Sequence, residues 1–256
     1  MKIIILGCGS SSGVPRIGGD WGQCDPGNPR NRRRRVSVLV EAGSTRLLID
    51  TGPDLREQLL DADIGWLTAV LYTHDHADHC HGIDDLRALF HASGAEIDCY
   101  MDLATRASLR SRFSYVFAGR AGYPLTARAH LLSGEVRLGD ILVRPFKQHH
   151  GPVHSLGFRF EADGKAIAYS TDVNDFPEES WPLLAGLDLW VVDALRRNPH
   201  PTHSHLSQTL DWIQRVGPAE AWLTHMDQSM DHDCLTAELP AGVSPGYDGR
   251  VWENVA

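Results

Sequence analysis

Apolar residues fall in short runs separated by turn residues, and between the runs lie stretches with helical spacing. Residues 3–6, 36–41 and 46–49 read as strands, the last two joined by the turn Ala42-Gly43-Ser44. A helix is expected over 54–60, then the apolar run Ala69-Val70-Leu71-Tyr72 as a buried strand, then helices over 84–91 and near 105–112. The second half continues with strands at 141–146, 155–161 and 166–169. Helices near 177–184 and 206–216 then flank strands at 189–192 and 221–223. Strands, helices, strands, helices in that order predict two sheets sandwiched by helices. No linker, repeat or low-complexity tract interrupts the order, so residues 1–256 read as one domain.

Composition narrows the class. A chain of 256 residues suits one large α/β core. Its 42% apolar and 22% charged shares are ordinary globular values, with no sign of a membrane span. The formal charge of −9 argues against general affinity for nucleic acid. Against that background, residues 30–35 hold five arginines, a solvated loop or an anion site. The five cysteines, at 8, 24, 80, 99 and 234, are odd in number and form no CxxC pair, which suits a reduced, cytoplasmic protein. Leu6-Gly7-Cys8 superficially resembles a lipoprotein signal, but the apolar stretch before it is far shorter than the roughly 7–15 residues such a region needs. It reads as a first strand.

The chemistry is concentrated in Thr73-His74-Asp75-His76-Ala77-Asp78-His79, an HxHxDH heptad directly after the buried strand expected at 69–72. Continued as a strand, it puts residues 74, 76 and 78 on one face, and a following turn brings His79 to the same point. Catalytic zinc usually takes three protein ligands and keeps a place for water, so four candidates imply two ions. Two ions about 3.5–4 Å apart can hold a hydroxide between them and stabilise developing charge at phosphorus or carbonyl carbon. The plain alternatives are an incidental histidine-rich loop or a single structural ion. Three residues placed just past apolar runs can complete the set: His150 before Gly151, Asp172 in Ser-Thr-Asp and His225 in Leu-Thr-His.

These residues, with Leu6-Gly7-Cys8-Gly9-Ser10 and Leu48-Ile49-Asp50-Thr51-Gly52, resemble the metallo-β-lactamase superfamily of hydrolases along nearly the whole chain. The resemblance implies a four-layer αβ/βα sandwich, two mixed sheets with helices on both outer faces. It implies one metal on His74, His76 and His150, another on Asp78, His79 and His225, and Asp172 bridging both. The family places its histidine before a small residue, which favours His150 over His149. Its aspartate in the Asp-Thr-Gly segment, here Asp50, orients a metal-binding imidazole. Five imidazoles and two carboxylates suit several ions, and the resemblance favours two Mn2+ or Zn2+ per chain.

Within the superfamily, residues 6–15 are similar to the phosphodiesterase branch. Their small residues let backbone amides approach a phosphate, and Ser10, Ser11 and Ser12 add hydroxyl donors. His203, in Pro201-Thr202-His203-Ser204-His205-Leu206 and 22 residues before His225, resembles the catalytic histidine of phosphoribosyl 1,2-cyclic phosphate phosphodiesterases of the carbon–phosphorus lyase pathway. That resemblance implies that metal-bridged hydroxide attacks phosphorus while His203 supports the transition state or leaving group and Asp78 aligns the nucleophile. His205 is the second candidate for the His203 role and a substrate contact; Ser204 or His205 could instead cap the helix. Asp172 follows His150 by 22 residues, too few for the long basic arm that transfer-RNA-processing relatives insert there. Many relatives also bind a structural zinc through a cysteine cluster near position 24 and a histidine at the place of Gln228. Here Cys24 stands alone, so no separate structural zinc is expected, and packing with arginine contacts must hold the loop 18–35.

The expected substrate is therefore a small phosphodiester, foremost a cyclic phosphate such as ribose 1,2-cyclic phosphate. Cyclic-nucleotide phosphodiesterase, RNA-processing nuclease and non-catalytic metal-binding scaffold remain alternatives. No membrane partner is expected and nucleic acid is disfavoured; a homodimer could form through a helix such as 84–91.

Overall fold

Alternation along the first strands sorts their side chains onto two buried faces. In β1 (Lys2–Gly7), β2 (Ser37–Ala42) and β3 (Thr45–Ile49), the residues Ile3, Ile5, Val38, Val40, Leu47 and Ile49 face a second sheet. There they join Val143, Phe158, Phe160, Ile167 and Trp190 in one core. The alternate residues Ile4, Leu6, Leu39 and Leu48 pack with Leu55, Leu59, Leu86, Leu89 and Leu109 from helices on the outer side. This computed structural model describes residues 1–119, 122 and 124–254.

The first half continues through α1 (Leu55–Asp61), β4 (Ala69–Leu71), α2 (Ala77–Cys80), α3 (Leu86–Ser93), β5 (Ile97–Met101), α4 (Leu103–Arg112), α5 (Ser114–Ala118) and β6 (Ala127–Leu131). The second half holds β7 (Val136–Leu138), β8 (Ile141–His150), β9 (Val153–Ala162), β10 (Lys165–Ser170), β11 (Leu189–Asp193), α6 (Leu206–Val216), β12 (Glu220–Thr224), α7 (His232–Glu238), β13 (Val243–Pro245) and β14 (Val251–Glu253). One sheet runs β14-β1-β2-β3-β4-β5-β6, the other β13-β12-β11-β10-β9-β8-β7. Both are mixed: β3 to β6 are parallel neighbours in the first, β10 to β13 in the second, and the rest pair antiparallel. The four-layer sandwich is thus the observed architecture, with the apolar faces of α6 and α7 (Leu206, Trp212, Ile213, Leu235) closing the second sheet.

Several boundaries differ from the sequence reading. The strand expected to stop at residue 146 runs on to His150, because β9 pairs with it through His149↔His154 and His150↔Val153. The segment 177–184 forms a 3-10 helix over Glu178–Leu184, where Pro182 lacks the amide an α-helix would use. The helix expected at 84–91 begins as a 3-10 turn, Ile83–Asp85, and becomes α3 only at Leu86. Among the described residues, no helix is long and apolar enough to cross a membrane.

Candidate metal centre

Strand geometry ends before the heptad. β4 stops at Leu71, residues 74–76 form a loop, and α2 starts at Ala77, so residues 74, 76 and 78 do not share a strand face as expected. His76 stands extended at the helix N-cap (φ −63, ψ 154), and the helical turn behind it carries Asp78 and His79. The heptad converges by bending, not by pleating.

The second half delivers its residues from strand ends. His150 is the last residue of β8, Asp172 lies two residues past β10, and His225 follows β12 directly. Asp172 and His225 have φ of 53° and 57°, and Asp50, just past β3, has 65°. Left-handed backbone is uncommon outside glycine, though aspartate and histidine tolerate it better than most. All three bends fall among the clustered residues, where strain of roughly 1–3 kcal/mol each is sustained by the surrounding structure.

Asp172 occupies the middle. Its Oδ1 lies 2.9 Å from His79 Nε2 and 3.2 Å from His225 Nε2. Its Oδ2 lies 3.4 Å from His150 Nε2 and 3.8 Å from both His74 Nε2 and His203 Nε2. Asp78 Oδ2 sits 3.4 Å from His79 Nε2 and 3.7 Å from His225 Nε2, and His76 Nδ1 is 3.3 Å from His150 Nε2. Two groups with metal-ligand spacing therefore form, His74–His76–His150–Asp172 and Asp78–His79–His225, with the Asp172 oxygens dividing between them, and a third, Asp172–Asp193–His203–His225, overlaps both.

The donor set fits divalent cations. His74 Nε2, His79 Nε2 and both nitrogens of His225 are buried without a hydrogen-bond partner, an arrangement that is costly unless something binds there. Burial, reinforced by His79, holds the His74 imidazole well below its ordinary range, and burial likewise lowers His150, so both favour the neutral form that coordinates metal. For His79, burial opposes protonation, but Asp172, Asp78 and Asp50 outweigh it and hold the imidazole well above its usual range. His225 is raised to about 9, burial opposing and Asp172 leading the carboxylates. Asp172 stays well below the carboxylate range despite burial, chiefly through His225 and His79. Cations would take over this role of balancing the buried carboxylates.

Comparison with known proteins follows this geometry. A model of the β-lactamase superfamily domain matches residues 45–226, the span holding Asp50, the heptad, His150, Asp172 and His225. The chain belongs to the metallo-β-lactamase superfamily. The crystal structure of a diphosphatase from the PhnP family matches with TM-score 0.90 and 34% identity, covering 98% of this chain and 96% of that one. An octanoyltransferase of Porphyromonas gingivalis (strain ATCC BAA-308 / W83) is 34% identical over 258 residues, 97% of this chain but 51% of its own length. A ribonuclease Z of Bradyrhizobium sp. (strain ORS 278) is 30% identical over 146 residues, 52% of this chain and 46% of its own length. The chain thus spans about half the length of these two curated relatives.

Around this superfamily centre, further side chains fix the imidazoles. Asp50 Oδ2 lies 2.7 Å from His79 Nδ1, while its oxygens accept from the Thr73 amide and hydroxyl, each at 2.8 Å. His150 Nδ1 donates to the Thr202 carbonyl at 2.6 Å, turning Nε2 toward Asp172. His149 instead faces His154, ring centres 5.3 Å apart, so His150 is the histidine brought into the cluster. His203 stacks on His225 at 4.7 Å and meets Asp193 Oδ2 through Nδ1 at 3.0 Å. Asp193 was not singled out from the sequence, although it ends β11 as Asp172 and His225 follow β10 and β12. The same strand-end rule could have found it.

The remaining candidates separate. Ser11 and Ser12 line a cleft of about 510 Å³ together with Arg16, Arg35, Asp78 and His81. Ser10 is buried beside them, its Oγ 3.4 Å from that of Ser12. His205 lies outside the ligand groups, its Nδ1 3.2 Å from Gln208 Oε1; it occupies the N-cap position of α6 without a side-chain cap hydrogen bond. Ser204 Oγ instead donates to the Asp193 carbonyl. The arginine run is largely committed elsewhere: Arg34 pairs with Asp61 and Asp248, Arg35 with Asp54, and Arg33 is buried. Arg33 donates to the Met230 carbonyl at 2.5 Å and the Asp227 carbonyl at 3.3 Å, and lies 3.8 Å from Cys24 Sγ. The loop 18–35 is therefore pinned to the segment after β12 by an arginine. Gly22 presses on Gln228 so closely that a Cβ would stand 2.3 Å from its Cγ.

Proposed function

We propose that the protein is a metal-dependent hydrolase that cleaves a small phosphodiester, foremost a cyclic phosphate such as ribose 1,2-cyclic phosphate, at a dinuclear centre. His74, His76 and His150 would hold one ion and Asp78, His79 and His225 the other, with Asp172 shared between them; Mn2+ or Zn2+ would suit the set. When bound, the ions supply an activated nucleophile and neutralise the phosphoryl oxygens. The observation that carries the reading is the division of the two Asp172 oxygens between two imidazole groups in which the buried Nε2 atoms of His74, His79 and His225 have no hydrogen-bond partner.

The chain's own residues complete the reaction. Asp193 accepts from His203 Nδ1, so Nε2 faces the centre and can support the transition state or hand a proton to the leaving oxygen. Asp78, at the edge of the serine-lined cleft, aligns the nucleophile, and Ser10, Ser11 and Ser12 receive the phosphate oxygens. The likeness to a PhnP-family diphosphatase supports chemistry at phosphorus. Between His150 and Asp172 the chain forms only β9, a tight turn and β10, leaving no arm for a long nucleic acid.

RNA processing is the second reading, favoured by the ribonuclease Z relative. Its expected contact, the run 30–35, is weakened by the commitment of Arg33, Arg34 and Arg35 to internal partners. Metal-loaded protein assayed against ribose 1,2-cyclic phosphate, cyclic nucleotides, bis-p-nitrophenyl phosphate and a precursor transfer RNA decides between them. Preference for the ribose cyclic phosphate by kcat/KM is the expected result. Turnover of the RNA alone, with strong salt dependence, overturns it.

A further inference from the structure

Asp75 is the one ionisable heptad side chain that joins neither ligand group. Its carboxylate accepts from Ser108 Oγ at 2.5 Å and pairs with Arg112 Nη2 at 3.4 Å. The same Arg112 nitrogen donates to the Asp75 carbonyl. Ser108 and Arg112 stand four residues apart near the C-terminal end of α4, so one helix face reaches both. Cys80 Sγ closes the ring, donating to the His76 carbonyl at 3.0 Å and the Asp75 carbonyl at 3.3 Å, with Arg112 Nη2 3.4 Å away.

This bracket surrounds the least protected member of the set. His74, His150 and Asp172 are buried, whereas His76 is exposed, its ring meeting those of His74 at 4.4 Å and His150 at 5.0 Å while its outer side faces solvent. His79 is held separately, by Asp50 and its own burial. The geometry points to Ser108 and Arg112 as positioning residues that fix His76 through the Asp75–His76 backbone, and so set the metal affinity of the His74–His76–His150 group. The second group is insulated from the bracket by the Asp50 contact. The inference rests on the dinuclear reading above.

The test titrates metal-free protein with Zn2+ against a chromophoric chelator to obtain two stepwise affinities. Arg112→Gln and Ser108→Ala are each expected to weaken one ion about tenfold, the lower end of the usual cost of losing a supporting contact. That ion must be the one His76→Ala lacks and not the one His225→Ala lacks. Ser108→Thr, which keeps the hydroxyl, should bind both ions as the wild type does, and metal-free Ser108→Ala should unfold with the wild type. Equal weakening of both ions, or wild-type affinities in both variants, overturns the bracket alone. Wild-type protein that takes up no metal overturns the dinuclear centre and the bracket with it.

Discussion

The heptad gathers His74, His76, Asp78 and His79 within six residues after a single strand, whereas His150, Asp172 and His225 arrive separately from β8, β10 and β12. The first arrangement is compact in sequence but stands on a loop and a four-residue helix, and it depends on side-chain contacts from Asp50, Cys80 and α4. The second is scattered in sequence but stands on paired strands, with left-handed bends at Asp172 and His225 aiming the side chains. Local density of candidate ligands and rigidity of support are thus supplied by opposite halves, and they meet at Asp172.

The largest expected effect tests that meeting point. Asp172→Ala should cost occupancy of both ions, because each Asp172 oxygen faces a different group. His76→Ala should remove only one. Hydrolysis should fall by more than the roughly 10²–10³-fold lost with a single charge-stabilising donor. Elemental analysis of the purified variants reads the stoichiometry. Two ions retained in Asp172→Ala would show the halves to be independent.

Next in size is His203→Ala, a second-half change outside the proposed ligand set. Both ions should remain while the rate on the cyclic phosphate drops at least about a hundredfold, the scale of one general acid or charge-stabilising donor. Lost metal in this variant would move His203 from the reaction into the coordination shell, as one member of the Asp172–Asp193–His203–His225 group.

What the sequence made legible follows the same division. Four candidate ligands within one heptad announce a metal site before any fold is known. His150, Asp172 and His225 became legible only through their position after apolar runs, and Asp193 escaped because its use depends on a loop bringing His203 back ten residues later. The helix α2 is too short to show a period, and its turn replaced the expected strand face. β6 was invisible for another reason: the apolar positions of Ala127-Arg128-Ala129-His130-Leu131 are two small alanines and one leucine, a weak strand signal that is completed by pairing with β5. β7, β13 and β14 are three-residue edges that likewise exist through their partners.

A paired comparison of supporting carboxylates gives a smaller effect. Asp50→Asn acts on a heptad ligand and should weaken metal binding roughly 10–100-fold, the usual cost of losing such a contact. Asp193→Asn acts through His203 and should lower kcat with metal affinity unchanged. Chelator competition and steady-state kinetics on the same preparations separate the two. If Asp193→Asn lost metal and Asp50→Asn did not, the assignment of supports to halves would be reversed.

The smallest effect concerns how the rigid half is tied to the loop beside it. Arg33 is buried, with no carboxylate paired to it among the described residues; its two terminal nitrogens reach the carbonyls of Asp227 and Met230 and the Asn31 side chain. A planar fork can serve separate acceptors at once, whereas the single ammonium of lysine cannot span them. Arg33→Lys should therefore leave buried acceptors unpaired and destabilise the protein by about 1–3 kcal/mol, seen as a lower urea midpoint for the metal-free chain. Because Asp227 lies two residues beyond His225, binding of the ion at Asp78–His79–His225 should weaken as well, while the ion at His74–His76–His150 stays. Wild-type stability in this variant would mean that packing, such as Gly22 against Gln228, suffices to hold the loop and that the buried guanidinium is not its tie.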